Sequence, residues 1–162
     1  MKLPNIADIS ARLQTGKTTS AELVEHCLGT IYRLDSELNS FIAVLADDAR
    51  AAALEADVQR ANGETVGPLH GIPISVKDLI DLRGTPTTAA SRVRTGHLAS
   101  RDAPVIARLR RAGVIFIGKC NLHEFAFGTT GEDSAFGLTR NPHAPEHTPG
   151  GSSSGSAVSV AK

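Results

Sequence analysis

The run Val114-Ile115-Phe116-Ile117-Gly118 limits the folds open to this chain more than any other stretch. Its large apolar residues follow one another with no polar position between them, so both faces of an extended segment must be covered. That pattern fits a strand in the middle of a sheet. Ahead of it, Asp102-Ala103-Pro104 caps a helix with proline in its first turn, and Gly113 ends that helix. Arg108, Arg110 and Arg111 crowd its C-terminal end, where cations are favoured. Further back, Ile72-Pro73-Ile74-Ser75-Val76-Lys77-Asp78 reads as a second strand, rich in β-branched residues. Strand, helix, strand make a βαβ unit, parallel and right-handed if both strands share a sheet. The fold class is α/β.

The N-terminal third is helical. Ile6, Ile9 and Leu13 recur at helical spacing up to Gly16, and Thr19-Ser20-Ala21-Glu22 forms a capping box. Leu23, Cys27, Ile31 and Leu34 then make one apolar stripe. Phe41 to Val44 suits a short buried strand, and the alanine-rich, charged stretch from Asp47 to about Ala61 predicts a largely exposed helix ending near Gly63. Asp81 to Ser91 is loop, Asn121 is expected to cap a short helix through Phe125, and Arg140 to Thr148 is irregular surface chain. No repeat or linker divides the chain. Residues 1–63 read as a mainly helical layer and 64–162 as the α/β part of one domain.

Bulk properties narrow the function classes. The 162 residues carry no formal net charge, which gives no electrostatic reason to expect nucleic acid or an anionic membrane as a direct partner. No apolar run is long enough for a membrane span and Met1-Lys2-Leu3-Pro4 does not open a signal peptide, so the cytoplasm is the expected location. The two cysteines, Cys27 and Cys120, read as reduced thiols. Among the six histidines none has ligand spacing with a third donor, so no metal is expected. No Gly-x-Ser-x-Gly elbow comes with an obvious Asp and His, and Gly150 to Gly155 lacks the lysine of a phosphate loop.

Two places remain where chemistry could sit. Pro149-Gly150-Gly151-Ser152-Ser153-Ser154-Gly155-Ser156 has the composition of a linker, yet it runs straight into the apolar Ala157-Val158-Ser159-Val160-Ala161. Glycines beside serines let backbone amides approach a small polar group, which suits a ligand-facing loop. Lys77 closes a strand at the end of the sheet where open α/β folds bind ligands. A lysine there either snorkels to water or is desolvated; desolvated, its amine becomes a usable base near neutral pH. A serine hydroxyl in reach could then pass protons to it. Asp78 points to the opposite face and is expected to anchor backbone instead of pairing with Lys77.

These motifs together resemble the amidase signature family. Gly67-Pro68-Leu69-His70-Gly71-Ile72-Pro73-Ile74-Ser75-Val76-Lys77-Asp78 is similar to the family's lysine segment. Gly118-Lys119-Cys120-Asn121-Leu122-His123-Glu124-Phe125, with Gly128 and Ser134-Ala135-Phe136-Gly137, is similar to its next block, and Arg140-Asn141-Pro142 with Pro149 to Ala157 to the opening of the signature. The resemblance implies a mixed sheet covered by helices and a Ser–cis-Ser–Lys hydrolase of carboxamides that needs no cofactor. It puts the triad lysine on Lys77 and the bridging serine on Ser152, joined to Gly151 by a cis peptide. Gly128, Thr129, Gly150, Gly151 and Ser153 would form the substrate-facing loops.

The resemblance departs from the pattern twice. Ser154 stands where the family has glycine, and Lys162 ends the sequence before the second Gly-Gly-Ser turn that bears the nucleophile. The expectation is therefore an N-terminal part of an amidase, inactive by itself, in which the strand Val114 to Ile117 shows an apolar edge for want of later neighbours. A small-molecule amide is the implied partner. A free-standing amidase could be a homodimer, whereas the glutaminase subunit of a tRNA-dependent amidotransferase would need partner subunits. A non-catalytic binding remnant of the fold is the competing class.

Overall fold

The computed structural model describes residues 4–162. Three strands, β1 (Phe41–Val44), β2 (Pro73–Lys77) and β3 (Ile115–Cys120), form one sheet in the order β1-β3-β2. β2 runs parallel to β3, and β1 antiparallel to it. All six residues of β3 are buried, as its unbroken apolar run demands of a central strand. The expected apolar edge at Val114–Ile117 is not found: β3 has a hydrogen-bonded neighbour on each side, and the open edges belong to β1 and β2.

Helices cover both faces. α1 (Ile6–Gln14) starts at Asn5, whose side chain accepts the amide of Asp8 at 2.9 Å. α2 (Ser20–Leu38) starts in the Thr19/Glu22 capping box, and Asp57 adds bonds to the amides of Ser20 and Ala21 at 2.7 and 3.0 Å. Carboxylates at a helix start satisfy orphan donors and favour its positive end. Asp57 comes from α3 (Ala46–Ala61), so the same contact locks two helices together.

Two sequence expectations change here. α3 is exposed at half of its residues, but it also has a buried face that was not expected: Ala49, Ala53 and Ala56 are buried and pack with Val24 and Leu28 of α2 on Ile115 and Ile117. Alanine lets the helix axis approach closely, so a buried face need carry no large residue. The buried face of α2 is accordingly Leu23, Val24 and Leu28, while Cys27, Ile31 and Leu34 sit partly covered beside it, along an apolar groove of about 820 Å³. Burial pushes the Cys27 thiol up to about 11, and both cysteines are free thiols.

On the other face Ile106 of α4 (Pro104–Arg111) packs with Val76, Leu82, Val114 and Phe116. Proline holds the first turn of α4 as expected, but Asp102 does not cap it. Its carboxylate accepts the Arg83 amide at 2.8 Å and pairs with Arg110, which lies over the Phe116 ring. α5 (Ser154–Ala161) packs on β2 and β3. Among the described residues no helix is long and apolar enough to cross a membrane.

Candidate active site

Lys77 is the last residue of β2, and Ser152 lies on the turn that leads into α5. The packing of α5 on β2 brings the Lys77 amine to 2.8 Å from the Ser152 hydroxyl, across 75 positions of sequence. The Gly151–Ser152 peptide is cis. Lys77 is half-buried, and burial lowers its amine below the ordinary lysine value. No ion pair among the described residues involves it. A lysine held this way next to a hydroxyl has an amine that can accept a proton.

The Ser152 turn is held from behind by loops. The His123 amide donates to the Ser152 carbonyl at 3.0 Å. The His123 ring accepts the Gly131 amide at Nδ1, 3.3 Å away, and faces Asp133 with Nε2 at 3.5 Å. Gly128 packs flat on that ring, where a Cβ would collide with it. A Cβ on Gly151 would come within 2.8 Å of the Gly131 amide and 3.2 Å of the Thr129 carbonyl carbon. The structure therefore brings Gly128, Thr129 and Gly151 together beside Lys77 and Ser152. Gly150 has a left-handed φ of 84° with open space where a Cβ would go. Ser153 is exposed, and its hydroxyl makes no cap bond to α5.

Ser154, the departure from the signature, is fully buried. Its hydroxyl lies 3.4 Å from that of Thr139, and its Cβ occupies space left by Gly131, where a second Cβ would approach within 2.5 Å. The added carbon is accommodated by a glycine opposite.

Three features of the site escaped the sequence reading. The first is Asn121, which caps no helix; the chain beyond it makes only a short 3-10 turn at Glu124–Ala126. Its fully buried amide donates to the carbonyls of Asn39 and Gly137 at 3.2 and 3.1 Å and accepts from Leu122 and Ser134. Every polar atom of the side chain is used, so Asn121 joins three loops. The second is a left-handed cluster. Ala89, Ala90, Phe125 and Ala126 have φ between 51° and 59°, and the Phe125 amide bonds the Ala89 carbonyl at 2.9 Å. Non-glycine residues persist there only where surroundings hold them. The third is a buried ion pair: Lys119 and Asp78 are each 1% exposed, with Nζ 2.7 Å from the carboxylate. Asp78 also accepts from the amide and hydroxyl of Thr88, so it anchors backbone as expected and leaves Lys77 unpaired. A single lysine in an apolar strand was the only sequence signal for that pair.

Comparison with known proteins agrees with this geometry. The chain is 50% identical over 143 residues to a glutamyl-tRNA(Gln) amidotransferase subunit from Anaeromyxobacter dehalogenans, covering 88% of this chain and 29% of that protein. The solved peptide amidase from Stenotrophomonas maltophilia superposes with a TM-score of 0.90 at 40% identity, over 97% of this chain and 34% of that one. The solved glutamyl-tRNA(Gln) amidotransferase subunit from Thermotoga maritima gives a TM-score of 0.71 at 38% identity, over 87% of this chain and 28% of that one. The chain thus spans about a third or less of the length of these relatives. The amidase family model matches residues 22–162, and with the α/β scaffold and the lysine and glycine-serine segments in that span, the chain belongs to the amidase family.

Proposed function

We propose that this chain is the N-terminal part of an enzyme that hydrolyses a carboxamide C–N bond, with Lys77 as base and Ser152 as the proton-relaying serine. The observation that carries the reading is the 2.8 Å approach of a desolvated, unpaired amine to a hydroxyl on a glycine-rich turn. Neutral Lys77 takes the Ser152 proton while Ser152 takes the proton of a nucleophilic serine, which lies outside these 162 residues. The serine oxygen bonds to the amide carbon, the C–N bond breaks, and the relayed proton returns to the leaving nitrogen. Water then releases the acyl group by the same relay. Gly128, Thr129, Gly150, Gly151 and Ser153 form the wall that a small amide would meet, and no cofactor enters any step.

The test uses a chain extended to the length of its relatives and follows ammonia release from simple amides. Lys77→Ala and Ser152→Ala are each expected to lower kcat by about 10²–10⁴, the usual contribution of a positioned proton-transfer group. Retention of most of kcat by Lys77→Ala would falsify the assignment.

A second reading is favoured by one observation, the name carried by the relative at 50% identity. On it the same chemistry would free ammonia from glutamine for an amidotransferase, and partner subunits would be required. A free-standing amidase could instead pair with a second copy of itself. Both belong in the cytoplasm. Co-expression with candidate partner subunits separates them: glutamine hydrolysis that depends on a partner supports the amidotransferase, and undiminished turnover by the chain alone supports the free amidase.

A further inference from the structure

We propose that Lys119 is the counter-ion that neutralises the Asp78 carboxylate across the sheet from Lys77, and is thus a positioning residue for the catalytic amine. The inference rests on the reading of Lys77 as base. Asp78 follows Lys77 directly in the chain and is 1% exposed. A buried carboxylate requires a cation or several donors, and the amine next to it in sequence is that of Lys77. Lys77 is not the partner. Lys119 fills that place at 2.7 Å, itself 1% exposed and bound to the Pro86 carbonyl at 2.9 Å. The strand register explains how. Val76 pairs with Lys119 across β2 and β3, and Lys77 pairs with Cys120. Successive strand residues alternate faces, so Val76, Asp78 and Lys119 share one face while Lys77 emerges on the other, towards Ser152. The carboxylate is neutralised on one side of the sheet and the proton relay runs on the other.

The remaining groups near Lys77 offer it no competing charge pair. β3 presents the Cys120 thiol, which burial pushes up. α5 presents the hydroxyls of Ser154, Ser156 and Ser159 and no charged side chain before Lys162. The loop behind Ser152 carries His123, Glu124 and Asp133, of which His123 and Asp133 face one another. The loop after β2 carries Asp78 and Asp81, and α2, which packs on β2, carries Asp35, whose carboxylate accepts from Ser40 and the Phe41 amide. None of these makes an ion pair with Lys77.

This role makes opposite predictions for the two partners. Lys119→Met leaves Asp78 charged with Lys77 as the adjacent cation, which favours the protonated amine and moves the acid limb of kcat/KM to higher pH. Asp78→Asn leaves the Lys119 charge unbalanced, disfavours a second cation and moves the limb to lower pH. Each shift is about one pH unit, the low end of what a neighbouring charge produces. Asp78→Asn/Lys119→Met removes both charges and returns the limb towards its starting position. A purely structural pair would lower kcat in all three variants without moving the limb in opposite directions.

The experiment uses the extended chain and two readouts: the acid limb of kcat/KM, and the pH dependence of trace acetylation of Lys77 by acetic anhydride. The second follows the free amine whether or not it is a base. The expected result is an upward shift for Lys119→Met, a downward one for Asp78→Asn, and near recovery in the double variant. Folded variants with unmoved acetylation profiles overturn the inference. If Lys119→Met fails to fold, Asp78→Asn decides, and a profile that stays put or moves upward overturns it. Profiles that move as expected while Lys77→Ala keeps its activity leave the counter-ion role standing and defeat only the assignment of Lys77 as base.

Discussion

Residues decide this site through the space they leave as much as through what they carry. Gly155 stands in the first turn of α5, where alanine would ordinarily be the better helix former. A Cβ there would meet the Asn121 backbone at 2.6 and 2.7 Å and also run into the Ser40 carbonyl. These are main-chain atoms at the end of β3 and the start of β1, so they have little room to give. Gly155→Ala is expected to cost about 1–3 kcal/mol, as overpacking does, and to lower activity by moving the Ser152 turn. Gly29, on the exposed side of α2, has nothing within 4 Å of a Cβ. Gly29→Ala should instead stabilise by about 0.5–1 kcal/mol. Urea denaturation of both variants checks the contrast; equal effects would remove packing as the reason for Gly155. Lys77 adds a pH signature. Its folded value is depressed by burial, so the unfolded chain binds the proton more tightly. Stability must therefore rise with pH between the folded value and the ordinary lysine value, and this slope should be missing in Lys77→Met. The approach of Lys77 to Ser152 was anticipated through the family resemblance, whose lysine segment and Gly-Gly-Ser turn are local motifs, whereas the residues alone left the lysine open and singled out no serine. The Lys119–Asp78 pair was not, because it depends on the register of two strands distant in the chain.

At the scale of elements, sequence periodicity located most helices and strands but misjudged which faces they bury. β3 was legible because five consecutive residues leave a strand only one environment. α3 was not, since its buried face is made of Ala49, Ala53 and Ala56, which contribute little to any apolar pattern. What buries them is the close approach of α2 and β3, a tertiary fact. Ala53 is fully buried between those two elements, whereas Ala52 on the same helix is exposed. Ala53→Leu is expected to destabilise by about 1–3 kcal/mol through overpacking, and Ala52→Leu to change stability by no more than about 0.5 kcal/mol. A thermal scan in which both leucines are tolerated equally would show that α3 does not dock as described. Loops were the least legible elements. The left-handed backbone at Ala89, Ala90, Phe125 and Ala126 carries none of the glycine or asparagine that marks such turns in a sequence. Those residues hold their geometry because the two loops bond to one another.

At the scale of the whole molecule, the described residues leave several surfaces incomplete. Val160 of α5 is 83% exposed and Phe127 is 91% exposed. The apolar groove of about 820 Å³ runs between α1, α2 and α5, lined by Ile9, Ile31, Leu34, Ile117 and Val158 and including neither Lys77 nor Ser152. The outer edge of β2, which carries Lys77, has no strand beside it. Exposed apolar surface of this size and open strand edges favour association. The proposed chemistry is equally partial: a lysine and a relaying serine can move a proton, but forming an acyl-enzyme also needs a nucleophile and donors for the oxyanion. Loss of one such donor alone costs on the order of 10²–10³ in rate. Residues 1–162 expressed alone are therefore expected to release no measurable ammonia from amides and to elute as a mixture of associated species. The chain extended to the length of its relatives should be active and elute as a single species. Size-exclusion chromatography with light scattering, run beside the ammonia assay, reads both halves of this expectation. Turnover by residues 1–162 comparable to the extended chain, and lost on Ser153→Ala or Ser154→Ala, would place the nucleophile within the present sequence. Ser153 is the better placed for that role, because it is exposed next to the hydrogen-bonded Lys77 and Ser152 whereas Ser154 is sealed against Gly131.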